Sequence, residues 1–471
     1  MTIRSTCLTA AASLGLLAAP QAQAAPTLLG IGTLTGSADL SGLAGNMENG
    51  MPANVLGGLG SGFTTAGGNT FLALPDRGPN ATVYNAAVDS TVTYIPRFQT
   101  LTMDITSNGG PGLPLTITPT LTGTTLLWNG SPLTYGSGSS VGLGSGAPAQ
   151  NTGSQFYFSG RSDNFNPAMS SANPNNARLD PESIRVSNNG AFAYVSDEYG
   201  PYVYEFNRAT GERTRTFTLP TNLNVATQAP TGAAETAANT SGRTPNQGME
   251  GLAITPDGKT LVGTVQSALI QDKALGGAAA KLVRIVTIDI ATGTTHEYAY
   301  QLTSGTGVSE IVALNDHEFL VDERDGTGQG NGDAAVVKRV YKIDLNGATD
   351  ITAMDGTEAA THAVSKTQFL DVVAALNAKG IASTDIPSKI EGMSFGSDVT
   401  VDGTLYHTLW ITNDNDYLPG TAGDNRFYLF GFTGDDLGGS LYAPQQVPEP
   451  ATLGLLSVGL LGLFGAVRRR K

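Results

Sequence analysis

Five times along the chain a short apolar run, a polar turn and a second apolar run follow one another, and most of the second runs close on acidic or amide residues. Residues 180–200 show the pattern most fully. Glu182 opens the first run, Asn188-Asn189-Gly190 makes the turn, and Asp197-Glu198 close the second. Asn and Gly accept the positive φ of hairpin turns, so this stretch predicts a β-hairpin with Glu182 beside Asp197-Glu198 at the end opposite the turn. Glu250 leads a copy that ends at Gln266, and Glu310 one that ends at Asp322-Glu323-Arg324-Asp325. Glu391 leads a copy that ends at Asn413-Asp414-Asn415-Asp416. A weaker first copy, with runs at 56–59 and 71–74 and the tip Asp76-Arg77, has no leading Glu.

Further alternating runs follow the hairpins, at 98–105 and 113–121, 202–206 and 213–219, 282–290 and 295–302, 336–345 and 427–432. Four strands per repeat predict an all-β chain, a β-propeller of about six four-stranded blades with seven possible. Residues 27–35 would supply a strand that closes the ring. Blades turn the same end of their innermost strands to one mouth of the channel, so the acidic tips converge there. Residues 129–177, dominated by Gly, Ser, Asn and Pro, read as a long surface excursion, and 221–247 as an Ala/Thr loop. The excursion contains Gly138-Ser139-Ser140-Val141-Gly142, a match to the serine-hydrolase elbow in letters only, because no strand precedes it and no helix follows. Residues 366–379 are expected to be helical, from the spacing of Phe369, Val372, Val373 and Leu376.

Composition supports this reading: 60 Gly and 24 Pro with only 14% charged residues fit short strands and turns. The ends stand apart. Residues 1–24 combine Arg4, an apolar run and Ala22-Gln23-Ala24, the layout of a secretory signal peptide, leaving 25–446 as the propeller domain. Cys7, the only cysteine, lies in that leader, which excludes thiolate chemistry from the mature chain. The net charge of −14 becomes more negative without the basic ends, and excludes nucleic acid as a partner. In 447–471, Pro448-Glu449-Pro450 precedes an apolar run and Arg468-Arg469-Arg470-Lys471. As a helix the apolar run measures about 26 Å, barely enough to cross a bilayer, with its basic end held in the cytoplasm.

The candidate chemistry follows from the tips. Glu182, Asp197, Glu198, Glu250, Glu310, Glu323, Glu391 and Asp414 would crowd one mouth and repel unless a cation were bound. Ca²⁺ suits an all-oxygen donor set, whereas His296, His317, His362 and His407 show no paired spacing for zinc. Arg77, Arg324 and Lys389 stand next to the acidic tips, and Arg161 precedes Ser162-Asp163-Asn164. Metal plus cations at one mouth point to handling of an oxyanion, as phosphoester hydrolysis requires. Arg77, Arg324, Lys389 and Glu250 are then the expected catalytic groups. A non-catalytic calcium-stabilised propeller that binds matrix or a partner, and a calcium-dependent carboxyl esterase or lactonase, are the alternatives.

The motif series Asp76-Arg77-Gly78-Pro79-Asn80, Asp180-Pro181-Glu182-Ser183-Ile184, Ser196-Asp197-Glu198-Tyr199-Gly200, Met249-Glu250-Gly251-Leu252, Glu323-Arg324-Asp325-Gly326, Lys389-Ile390-Glu391-Gly392 and Asn413-Asp414-Asn415-Asp416 resembles that of the phytase-like family, also described as having esterase-like activity of phytase. The resemblance implies a secreted propeller related to calcium-dependent β-propeller phytases, acting on a phosphorylated small molecule or ester. Ser183 stands where the family pattern has Gly. The tail resembles the PEP-CTERM sorting signal, which implies transient insertion in the inner membrane, removal by an exosortase, and delivery to the cell surface or extracellular matrix of a Gram-negative bacterium.

Overall fold

In the computed structural model the described residues are 25–449. The expected signal peptide at 1–24 and the hydrophobic run and basic end of the tail lie outside them. Among the described residues no helix is long and apolar enough to cross a membrane.

Five antiparallel four-stranded sheets, not six or seven, make up the propeller. From the centre outward, the first blade is Gly62–Thr65, Thr70–Leu74, Arg97–Ser107 and Leu115–Leu126, and the second is Pro181–Val186, Phe192–Asp197, Tyr202–Asn207 and Arg213–Thr218. The third is Met249–Ile254, Thr260–Val265, Leu282–Asp289 and Thr295–Gln301, and the fourth is Gly307–Ala313, Glu318–Arg324, Lys338–Asp344 and Lys366–Asp371. The fifth takes Ile390–Val401, Thr404–Asn413 and Asn425–Phe432 from the C-terminal part and Thr27–Leu34 as its outer strand. That strand pairs antiparallel with Asn425–Phe432 and closes the ring with the N-terminal strand, as expected.

The blade count is five because only the five hairpins recruit outer strands. The 129–177 excursion contributes no blade: beyond Trp128–Asn129 paired with Phe156–Tyr157 it is turns and loops. Its Ser140 is exposed and lies in a 3-10 turn, so the elbow-like letters form no elbow. The 366–379 stretch divides instead of forming one helix. Lys366–Asp371 pairs with the third strand of the fourth blade, and the helix is Val372–Asn377, capped by the Asp371 carboxylate on Ala374 N at 3.0 Å. Backbone pairing on an open blade edge outweighs a helical spacing of only four apolar side chains.

The inner strands of the second, third and fourth blades are buried along their whole length. Outer strands such as Leu115–Leu126 expose alternate residues near their start, as a one-sided sheet requires. Apolar clusters fill the gaps between neighbouring blades: Leu72 and Leu74 with Ile184 and Val195, Tyr194 and Val203 with Leu252 and Leu261, Val262 with Ile311 and Val321, Val312 and Leu320 with Met393 and Leu409, and Phe63 and Phe71 with Trp410 and Phe427. Packing therefore runs around the ring and leaves polar residues for the channel.

Candidate functional site

Strand register explains which side chains reach the mouth. In the third blade Met249 pairs with Val265 and Gly251 with Thr264, so Glu250 is bulged out of the ladder. The same irregularity falls at Glu182 in the second blade and at Glu391 in the fifth. A bulge leaves its residue free to turn from the sheet. In the fourth blade Val308 pairs with Glu323 and Glu310 with Asp322, so the bulged residue is Ser309. In the first blade, pairing of Gly62 with Leu74 puts Ser61 at the equivalent place. Asp76, Glu198, Gln266, Arg324 and Asp414 lie at or just past the ends of the second strands, one per blade.

Glu182, Glu250 and Glu391, with these five strand-end residues and Arg77, Asn80, Asn246, Lys389 and Asp416, line a cavity of about 260 Å³ at one mouth. Seven carboxylates (Asp76, Glu182, Glu198, Glu250, Glu391, Asp414 and Asp416) face three cations, so the lining holds an excess of negative charge. The cations are committed. Arg77 is ion-paired with Asp180 and hydrogen-bonded to Asn246; Arg324 Nη2 lies 2.5 Å from Glu391 Oε1 and 3.9 Å from Glu250 Oε1. Lys389 Nζ bridges Asp414 Oδ2 at 2.7 Å and Asp416 Oδ1 at 2.5 Å.

One sector has, among the described residues, only the Arg77–Asp180 pair to offset its charge. Asp180, Glu182 and Glu198 present carboxylate oxygens that all lie within 4.8 Å of one another, and all three are buried. Glu198 accepts from Gly248 N at 2.7 Å, but among the described residues no donor reaches the Glu182 carboxylate. Burial first, then the charges of Asp180, Glu250 and Glu198, hold the Glu182 carboxyl well above the usual range. Burial and Asp180 push Glu198 up to about 7, and burial with Glu198 and Glu391 raises Glu250 well above its ordinary value. This donor set, oxygen-only and short of positive charge, fits a hard divalent cation. Three histidines that find carboxylate partners do so elsewhere, His296 with Asp350, His317 with Asp344 and His407 with Asp398.

Of the residues expected at the mouth, Glu182, Glu198, Glu250, Glu391, Asp414, Arg77, Arg324 and Lys389 line the cavity, and three others do not. Glu310 is one residue past the bulge and turns inward, where its carboxylate accepts from Ser183 Oγ at 2.9 Å, Leu252 N at 3.0 Å and Arg185 Nη2 at 2.9 Å. Glu323 sits between the third and fourth blades, accepting from Thr303 N, Ser304 N and Gly305 N and pairing with Lys366 Nζ at 2.5 Å. Asp197 caps its own strand end through Asp180 N, Tyr199 N and Gly200 N. Arg161 is held by Asp163 at 2.6 Å and is absent from the lining. Asp180, next to Glu182, was legible only as a neighbouring carboxylate, and Asn246 carries no signal in its loop.

A five-bladed propeller with a buried acidic cavity at one mouth is the class of molecule these features define. Residues 54–417 match the family described as "Phytase-like: Esterase-like activity of phytase", and the chain belongs to that family. Residues 446–471 match the PEP-CTERM protein-sorting motif, which marks the chain for export and cell-surface sorting in Gram-negative bacteria and implies processing by an exosortase. An uncharacterized secreted protein of Arthroderma benhamiae is 31% identical over 240 residues, covering 48% of this chain and 44% of that protein. The chain thus spans less than half the length of this relative. Among solved structures, a putative 6-phosphogluconolactonase from Bacteroides fragilis is similar at 11% identity and a TM-score of 0.32, over 92% of this chain and 98% of that one. Another from Bacteroides uniformis aligns over 78% and 82% at 11% identity and a TM-score of 0.29.

Proposed function

We propose that the protein is an exported, calcium-dependent phosphoester hydrolase whose reaction takes place in the acidic cavity. The observation that carries this reading is Glu182, a buried carboxylate that no donor reaches among the described residues, pressed against Asp180 and Glu198. Such a group is costly to bury as an anion unless a cation shares the site. Asp180, Glu182 and Glu198 would hold the ion, with Glu250 and Asp76 close by. A bound Ca²⁺ would supply charge neutralisation and a more acidic water.

The chain's own groups account for the rest. Arg324 and Lys389, facing the cavity from the fourth and fifth blades, would orient the non-bridging oxygens of a phosphoester, exchanging carboxylate partners for phosphate ones. Arg77 would steady the edge of the same anion. Glu250, whose carboxyl is raised well above its ordinary value by burial and by Glu198 and Glu391, faces the same cavity and would serve as proton donor to the departing alkoxide. The lining is almost wholly polar, which suits a small, highly charged substrate over an apolar ester.

The test is a pair of measurements on wild type and Glu182→Gln: melting temperature with chelator or Ca²⁺, and phosphate release from a soluble monoester. Wild type should be stabilised by Ca²⁺ and release phosphate; Glu182→Gln should lose both responses while staying folded. Indifference of the wild-type melting temperature to Ca²⁺ rejects the cation site. A calcium response without phosphate release rejects hydrolysis of phosphoesters, and release from a carboxyl ester or lactone would then assign the cavity to carbon esters.

A further inference from the structure

After its last strand the chain crosses the propeller face opposite the acidic cavity. Leu437 O accepts from Lys342 Nζ at 2.6 Å, Leu441 O from Asn315 Nδ2 at 2.9 Å, and Ala443 N donates to Leu314 O at 2.9 Å, all on the fourth blade. Tyr442 packs on His407 and Phe432 of the fifth, with ring centroids 4.2 and 5.2 Å apart. Gln445 Nε2 then donates to Val186 O at 2.6 Å and to Asn188 Oδ1 at 2.7 Å, on the second blade. Val447 joins the apolar cluster between the first and second blades.

The crossing ends at the inner-hairpin turn of the first blade. A Cβ on Gly67 would stand 2.6 Å from Pro448 O, and one on Gly68 would stand 3.0 Å from Glu449 Oε1. Both glycines have left-handed φ, 99° and 59°. The turn thus offers bare backbone to Pro448, which is half-buried against it, while Glu449 beside Gly68 is exposed. The segment touches four blades, a seat that exists only in the folded propeller, and it walls a second cavity of about 540 Å³ with Arg185 at its inner end.

We propose that the folded domain holds the entry to its own sorting tripeptide, so that residues 443–448 must leave their seat before an exosortase can enclose Pro448-Glu449-Pro450. A membrane peptidase that encloses this tripeptide must surround Pro448, whose carbonyl already lies against the Gly67 backbone. Two partners cannot hold the same atoms, so the processing rate follows the fraction of molecules in which the strap is open. The proposal rests on the sorting motif and on the strap, and is independent of what the acidic cavity does.

The experiment follows removal of the tail from the full-length chain by exosortase-containing membranes, read by mass spectrometry. Gln445→Ala deletes both hydrogen bonds from Gln445 to the second blade without altering the tripeptide, and Asn188→Ala deletes one of their acceptors while leaving the tail sequence intact. Each should raise the initial processing rate about threefold or more, with the melting temperature of the propeller nearly unchanged. In the Asn188→Cys/Gln445→Cys pair, joined by a bismaleimide, processing should fall about tenfold or more. Rates unchanged or lowered in Gln445→Ala, or undiminished in the cross-linked protein, overturn the proposal. Should Asn188→Ala fail to fold, those two measurements decide it.

Discussion

Arg185 Nη2 and Glu310 Oε2 meet at 2.9 Å, joining the inner strands of the second and fourth blades across the ring. The pair is buried, and Arg185 also donates to Phe63 O, Ile184 O and Ile311 O. It plugs the channel between the acidic cavity and the larger cavity on the opposite face, whose lining includes Arg185. Removing one partner strands the other charge. Glu310→Ala should therefore cost about 3–5 kcal/mol in denaturant unfolding, and Arg185→Met combined with Glu310→Leu appreciably less.

Glu323 is an anchor between blades, not a ligand at the mouth. Backbone N–H groups and Lys366, acting against burial, hold its carboxyl down to about 2. Glu323→Ala leaves those donors and the Lys366 ammonium without their acceptor, so unfolding free energy should drop by about 3 kcal/mol. Calcium titration of the variant should match wild type.

The pH dependence of the chelator-treated protein has a definite sign. Burial pushes Asp197 up to about 7 and Asp322 to about 8, against unfolded values near 4. Between those limits the folded state holds protons that the unfolded chain has released, so stability falls as pH rises from about 5 to 8. Glu323, with its depressed value, contributes in the opposite sense: its stabilisation is complete above about 4.5 and is lost as pH falls toward 2. Thermal melts in chelator should show a maximum near pH 5; a rise in stability between pH 5 and 8 would contradict this account.

Gly160 marks a close approach that supports Arg77. A Cβ there would lie 1.7 Å from Arg77 O, and Tyr199 Oη donates to Gly160 O at 3.2 Å. Gly160→Ala should displace Arg77 from Asp180 and Asn246, destabilise the fold by about 1–3 kcal/mol, and weaken phosphate binding. Titration with inorganic phosphate by calorimetry checks the last point.

Arg324→Ala separates anion from cation binding. Arg324 is paired with Glu391 and hydrogen-bonded to Ser309, on the side of the cavity away from Asp180. Phosphate affinity should fall about tenfold or more, as expected for loss of a charge-assisted contact worth about 1.5–3 kcal/mol. The calcium response of the melting temperature should persist.

The hairpin arithmetic was legible in the chain itself. Alternating runs, Asn-Gly and Asp-Gly turns and a Glu at the start of four of the five repeats are local features, set by sterics and burial within a few residues. They determined the propeller, its closure by the N-terminal strand, and the gathering of Glu182, Glu250 and Glu391. The blade count was not local. Whether a Gly- and Ser-rich stretch such as 129–177 forms another blade depends on whether an unfilled gap remains in the ring, and five apolar interfaces already close it.

Tertiary structure alone decided which member of each motif faces the cavity. In the fourth blade the bulge puts Ser309 where the third blade has Glu250, and Glu310, one position on, turns into the channel. Because side chains alternate faces along a strand, a shift of one position reverses direction. The same logic hid Asn246 and Asp180, which come together with Arg77 only once loops distant in sequence pack above the ring. Nor does the chain pattern alone reveal that Pro448 is seated against Gly67: that contact joins residues hundreds of positions apart, and only the closed ring brings their backbones within reach.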